Sequence, residues 1–190
     1  GLKLNIGESA FFRTSYPMSV RAKLGKSVQT KVLKTRDRLG LVRDILALAE
    51  PGKLPTVDGL EFARNYKNET EYVVWIEIAS GLGKIHSLIA HEPFREQYEA
   101  FALDIFSDIG KKITWDMKPK DHSHALLKVL IIGSLGKYGD KKTIARAQKM
   151  FAKRDGSTSL TTSKIPADLR GIVYSMVAKR GGAKEYEKLM

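Results

Sequence analysis

The sequence predicts an all-α fold: a HEAT-like α-α superhelix, a solenoid of antiparallel helix pairs, with a short N-terminal β tail. Three observations predict it. From about residue 17 onward, apolar residues recur at the 3.6-residue period of an α-helix, in one stripe after another. The stripes are short and separated by tight turns rich in Pro, Gly, Asn and Asp, which is the pattern of stacked helical hairpins. Residues 1–16 alternate at a period of two instead. The boundaries that follow are 1–16 for the tail and 17–190 for the helical domain. No clean internal repeat is present, so a compact helical bundle stays open as the alternative.

In the tail, Leu2, Leu4 and Ile6 alternate with Lys3 and Asn5. Gly7 breaks the pattern, residues 10–16 can form a second strand, and Pro17 stops it. Two short strands do not stand alone in water, so they either pack on the helices or belong to a sheet outside this chain. The first clear helical stripe is Leu39, Val42, Ile45, Leu46 and Ala49, closed by Glu50-Pro51-Gly52. Residues 55–58 open a helix running to about Tyr66, and Asn68-Glu69-Thr70-Glu71 reads as the next start, with Thr70 as N-cap. Trp75, Ile78, Ala79, Leu82, Ile85 and Ile89 follow; Glu92-Pro93 then starts a helix faced by Phe94, Tyr98, Phe101, Ala102, Ile105 and Ile109. Residues 123–135 are apolar nearly all round, which marks a central helix. Gly139-Asp140 turns the chain into a helix carrying Ile144, Ala147 and Phe151. A polar loop spans 155–165, and 166–168 open a helix with Leu169, Ile172, Val173, Met176 and Val177. Gly181-Gly182 ends that helix, and 183–190 begin one more. A solenoid needs a polar cap at its end, so the domain is expected to be truncated at its C-terminus.

Composition narrows the function classes. The chain carries 33 Lys plus Arg against 21 Asp plus Glu, a net charge of +12. Residues 1–70 and 111–190 are basic and 71–110 acidic, so an anionic partner is drawn to particular faces. With 43% apolar residues, general disorder is excluded. No run approaches a membrane span, and the N-terminus shows no signal-peptide pattern. The absence of Cys excludes disulfides, a thiol nucleophile and thiolate metal sites. A reducing compartment, the cytoplasm, is the expected location, with no membrane partner.

Catalytic motifs are incomplete. His91-Glu92 begins an H-E-x-x-H motif, but position 95 is Arg and Pro93 breaks the helix that must align two ligands. His122 and His124 lack a third ligand nearby, and His86 flanks an apolar stripe. Gly81-Leu82-Gly83-Lys84 and Gly133-Ser134-Leu135-Gly136-Lys137 resemble parts of phosphate loops, but neither Lys precedes Ser or Thr, and close helix packing explains the glycines better. No nucleophile elbow or carboxylate pair stands out. The expectation is therefore no catalytic residue, no metal site and no cofactor in this chain. Lys111-Lys112, Lys141-Lys142, Lys153-Arg154, Lys179-Arg180 and Lys184 can make a basic stripe. They are not interleaved with aromatic rings, so nucleic acid is not the expected partner.

Several segments together resemble one family. Residues 5–16 look like an N-x-G-x-x-G-x-Y-R-V-x-Y segment, Asp37-Arg38 with Leu41 and Asp44 like D-R-x-x-L-L-x-D, and 68–75 like N-E-T-D-Y-V-P-W. Ala147 with Phe151 fits A-x-x-x-F, and 165–170 with Val173-Tyr174 fit I-P-x-D-L-R-x-x-V-Y. These resemble the C-terminal helical domain of zinc aminopeptidases of the puromycin-sensitive and endoplasmic-reticulum type. Ala10, Phe12, Val74 and Lys128 depart mildly from the family's Gly, Tyr, Pro and Arg. The resemblance implies that 1–16 are the remnant of a preceding β-sandwich, and that zinc and the catalytic residues lie elsewhere in a longer parent hydrolase. It implies a non-catalytic wall of helices that encloses the peptide chamber, contacts the distal part of the substrate and works with the catalytic domain of the same chain. A free-standing HEAT-like scaffold for nucleic acid or an acidic protein is the alternative. Arg38 and Asp44, six apart, are expected to bond neighbouring helix ends. Trp75 is expected in the core. Arg170, beside Asp168, serves either a buried or interfacial salt bridge or a peptide carboxylate, and it is the one candidate peptide-binding residue.

Overall fold

Among the described residues the helical stripes become eight α-helices: α1 (Met18–Gln29), α2 (Thr35–Ala49), α3 (Thr56–Ala63), α4 (Tyr72–Leu88), α5 (Arg95–Lys112), α6 (His122–Lys137), α7 (Lys141–Arg154) and α8 (Ala167–Arg180). This computed structural model describes residues 2–154, 165–180, 182 and 187. The expected polar loop at 155–165 and the last helix at 183–190 fall outside them, apart from Ile165 and Glu187. The fold of the described residues is all-α, as the periodicity predicts. Two compact units divide the chain, Gly1–Tyr98 and Glu99–Met190.

The expected β tail is not a pair of strands. Among the described residues no strand forms; the tail holds one 3₁₀ turn, Ile6–Glu8, and otherwise irregular chain. Its burial reverses what the alternation suggests. Leu2, Leu4 and Ile6 are exposed, while Lys3 is only 7% exposed. The reason is electrostatic. The Lys3 ammonium donates to the Leu4 and Asn5 carbonyls and to Glu8 Oε1 at 3.0–3.1 Å, and sits 3.2 Å from Asp37 Oδ1. A buried cation with that many acceptors is tolerated, whereas a strand edge would leave its backbone groups unpaired.

Two acids of α2 clamp the tail. Asp37 accepts the Gly7 amide at 2.7 Å, and Asp44 accepts the Thr14 amide at 2.9 Å. Seven residues separate each pair, but the two paths differ in length. Seven helical residues rise about 10 Å, while seven extended residues would span about 23 Å. The tail must therefore fold back on itself. It does so through left-handed residues, Gly7 at φ 70° and Glu8 at φ 55°, and a side-chain clasp in which Asn5 bonds both the amide and carbonyl of Ala10. Tyr16 is buried and its hydroxyl accepts the Leu4 amide at 2.9 Å, closing the loop.

Gly40 of α2 lets this happen, because a Cβ there would meet the Glu8 carboxylate. Gly40→Ala is expected to gain up to about 1 kcal/mol of helix propensity while displacing the Glu8 carboxylate from Lys3 and Arg43. Net stability should change little, but the Gly7 and Thr14 amides should exchange with solvent faster. Unchanged amide protection would show that the clamp does not depend on this close approach.

In the first unit, α2 packs against α3 and α4. Leu41, Val42 and Ile45 of α2 and Val74, Trp75, Ile78 and Leu82 of α4 are buried, as are Phe62, Tyr66 and Tyr98. Trp75 is in the core, as expected. Thr70 is not the N-cap of α4: the cap position is Glu71, and the free amides of Thr70 and Glu71 are taken by the Glu69 carboxylate at 2.7 and 3.0 Å. The Thr70 hydroxyl instead accepts from Lys31. α5 begins at Arg95, so Phe94 lies before it and is 50% exposed rather than part of its buried face.

In the second unit, α6 packs against both α7 and α8, the central place that its apolar surround predicts. Its Ile132 joins Ala147 and Phe151 of α7 and Leu169, Val173, Met176 and Val177 of α8 in one core. A Cβ on Gly136 would stand 2.5 Å from Met176 Sδ, so this glycine is a packing site, as is Gly81, whose Cβ would stand 3.2 Å from Leu46 Cγ. Lys128 is buried and donates to the Met117 carbonyl at 3.0 Å, holding the α5–α6 connection.

Candidate functional site

The segments singled out in the sequence meet in the first unit. Arg38 of α2 is 5% exposed and Glu69, before α4, is 3% exposed. Their bond is bidentate: Nε to Oε2 at 2.6 Å and Nη2 to Oε1 at 3.0 Å. Arg38 also donates to the Leu33 carbonyl at 2.7 Å, and its own carbonyl accepts the Tyr66 hydroxyl at 2.7 Å. The Trp75 indole donates to the Glu69 carbonyl at 3.1 Å. Burial alone would push the Glu69 carboxyl up, but the bonds from Arg38 and two backbone amides outweigh it and hold Glu69 below its ordinary range. Arg38 thus bonds a neighbouring helix end, the entry to α4, as expected. Asp44 bonds the tail instead of a helix end; its burial pushes the carboxyl up, against the pull of the Thr14 amide. The Arg38–Glu69 bonds fix α2 against the entry to α4.

Along those two helices runs a groove of about 400 Å³. Leu46 and Ala47 of α2 and Gly81, Ile85 and Leu88 of α4 form its apolar part. The missing side chain at Gly81 lets Leu46 pack directly on the α4 backbone. Arg13, Arg43 and Lys84 bring positive charge to the rim, and Glu50 and Glu77 negative charge. The Lys84–Glu50 pair, at 3.4 Å and well exposed, holds little. Leu88 is 80% exposed. Such a groove can bury an apolar side chain and anchor polar groups at its edge. It contains no paired nucleophile and base.

The sequence missed this groove. Arg13 falls in the segment expected as a strand, and Lys84 in a fragment that resembles part of a phosphate loop. The available signal was the position of Arg43 and Lys84 at the borders of the α2 and α4 apolar stripes.

The expected candidate, Arg170, is in the other unit, near the start of α8. It is exposed, and among the described residues it makes no hydrogen bond or ion pair, so the buried salt bridge considered from sequence is not formed there. Histidines do not gather. His91 is exposed in a turn, and His86 is half-buried and stacks on Tyr98. His124 accepts the Lys120 amide at the start of α6, where Asp121 caps the helix. Among the described residues no three His, Asp or Glu side chains are placed to hold a metal ion. None of the described helices is long and apolar enough to cross a membrane.

Comparison with known proteins matches residues 2–190 to the model of the ERAP1-like C-terminal domain. Alanine/arginine aminopeptidase of Saccharomyces cerevisiae is 32% identical over 98% of this chain, and aminopeptidase 2, mitochondrial, of the same yeast is also 32% identical over 98%. Puromycin-sensitive aminopeptidase of Caenorhabditis elegans is 24% identical over 100% of the chain. The chain spans 22%, 19% and 20% of the lengths of these curated relatives. The match runs almost end to end, and two of the segments that carry the resemblance, around Arg38 and Glu69, are locked together in the fold: the chain belongs to the ERAP1-like C-terminal domain family.

Proposed function

We propose that the chain is the non-catalytic C-terminal domain of a zinc aminopeptidase, a helical wall that encloses the peptide chamber and contacts the distal part of the substrate. The observation that carries this reading is the family match over residues 2–190, with aminopeptidases among the relatives. The parent's zinc and catalytic groups belong to the rest of that enzyme, and the catalytic domain of the same chain is the partner. The apolar groove of the first unit can bury a peptide side chain, and in the second unit Arg170 presents an exposed charge. The cytoplasm is the proposed location.

Arg170 offers a guanidinium that can grip a peptide's C-terminal carboxylate with two bonds. The test compares peptides ending in a free acid with the same peptides ending in an amide, titrated into the 190-residue chain at low salt. The acid is expected to bind up to about fivefold better, the range of an exposed ion pair, and the difference should shrink with salt. Arg170→Ala should erase the preference and leave the melting temperature near wild type, because the side chain is exposed. Equal binding of acid and amide by the wild-type chain would sink carboxylate capture.

A further inference from the structure

In the second unit, a cavity of about 230 Å³ opens where the end of α5 meets α6 and α7. Gly110, Ile113, Ile132 and Leu135 form an apolar floor. The rest of the wall carries hydrogen-bond donors. Thr143 is 6% exposed and lines the cavity. Its hydroxyl makes no hydrogen bond among the described residues, yet it is not sealed from solvent. Lys142, next to it in the wall, is exposed and makes no ion pair or hydrogen bond among the described residues. Trp115 closes one side, with the Arg146 guanidinium over its ring at 5.9 Å. Asp116 holds that guanidinium in place through both carboxylate oxygens, at 2.5 and 2.6 Å. The second acid nearby, Asp140, accepts the Thr143 amide at 2.7 Å. Among the described residues no acid lines the cavity itself.

We propose that this cavity binds a short branched aliphatic carboxylate, its oxygens held by Lys142 and the Thr143 hydroxyl and its tail laid on Ile113, Ile132 and Leu135. A hydroxyl this deeply buried without a partner is costly, and an acceptor entering the cavity removes the cost. The ammonium and the hydroxyl are two donors that suit the two oxygens of one carboxylate. Both come from the first turn of α7, a 14-residue helix whose N-terminal end carries partial positive charge. The floor selects the rest of the ligand. An inorganic anion would leave those three side chains wet, whereas a branched tail covers them. The volume is below the roughly 300 Å³ at which drug-sized sites begin, so the ligand is small. A free amino acid would bring its ammonium group beside Lys142 with no lining acid to pair it. The site uses neither the apolar groove nor Arg170, and it does not depend on the proposed function.

The probe is 4-methylpentanoate, titrated into the 190-residue chain at low salt and followed by calorimetry and amide chemical shifts. A dissociation constant of about 1 mM or tighter is expected, ordinary for a ligand of this size. Both 4-methylpentanamide, which lacks the charge, and acetate, which lacks the tail, should bind about tenfold more weakly or worse. Leucine, the same skeleton with an added ammonium group, should also bind more weakly than the acid. Lys142→Gln, at an exposed position that does not threaten folding, should weaken the acid about fivefold. Thr143→Val should weaken it severalfold while the melting temperature of the free protein stays level or rises, because the hydroxyl it removes has no partner. Arg170→Ala should leave binding unchanged, which separates this site from peptide capture at α8. Equal binding of acid and amide, full affinity in Thr143→Val, or shifts that avoid Ile113, Leu135 and the start of α7 would overturn the proposal. So would phosphate binding as tightly as the acid, which would reduce the site to a helix end that attracts any anion. Tighter binding of a peptide ending in leucine would overturn it too, by making the cavity part of the peptide chamber.

Discussion

Glu69→Ala is expected to destabilise the first unit by about 3–5 kcal/mol, because it leaves the Arg38 guanidinium buried without a counter-charge. The substitution removes more than one ion pair. The same carboxylate takes the amides of Thr70 and Glu71 at the entry to α4, so those donors lose their partner as well. Glu69→Gln keeps an acceptor oxygen for the backbone and should recover part of the loss. Arg38→Met combined with Glu69→Gln should be milder than Glu69→Ala, since no unpaired charge remains. The pH dependence has a definite sign. Glu69 is held below its ordinary value of 4.5, so its ionised form is favoured in the folded state. Its contribution is complete above that value and fades as pH falls through the lower, folded-state value. Urea melts of wild type and Glu69→Gln should therefore differ most at neutral pH and converge in acid. A gap that stays constant from pH 7 to pH 3, or a loss below about 1 kcal/mol for Glu69→Ala, would show that burial of this pair does not govern the stability of the unit.

The helices were legible wherever burial on one face imposed a period. The Trp75, Ile78 and Leu82 stripe is buried in order, and the apolar surround of residues 123–135 placed α6 between two partners. The tail was misread because alternation states only that two faces differ, not which one is turned inward. Lys3 went inward because Asp37 and Glu8, distant in sequence from each other, meet it there. The start of α4 was misread for a related reason: a long-range ion pair recruited Glu69, and Glu69 then took the amides that a Thr70 cap would have served. The groove depends on which helices lie side by side, and the path of the tail on the acids of α2 that hold it; neither follows from local periodicity. The division into two units falls inside α5, between Tyr98 and Glu99, where the helical pattern runs on without a Pro or Gly to mark it.

Phe151→Ala is the counterpart in the second unit, with an expected cost of about 3–5 kcal/mol. Phe151 is 2% exposed and shares its core with Ile132, Leu169, Val173 and Val177. Its ring meets Tyr174 edge to face, at 5.8 Å between centroids and 89° between planes. Removing the ring forfeits its burial and that pairing, and it opens a hole that α7 and α8 cannot close by a side-chain shift alone, because helices pack as rigid bodies. Phe151→Leu keeps much of the buried area and should recover more than half of the loss, failing mainly in the contact with Tyr174. Hydrogen exchange distinguishes this damage from that at Glu69. Amides of α6, α7 and α8 should lose protection in Phe151→Ala, whereas Glu69→Ala should act first on α2 and α4. If Phe151→Ala left the α6 and α8 amides as protected as in wild type, the cluster around Ile132 would not be the core that holds these three helices together.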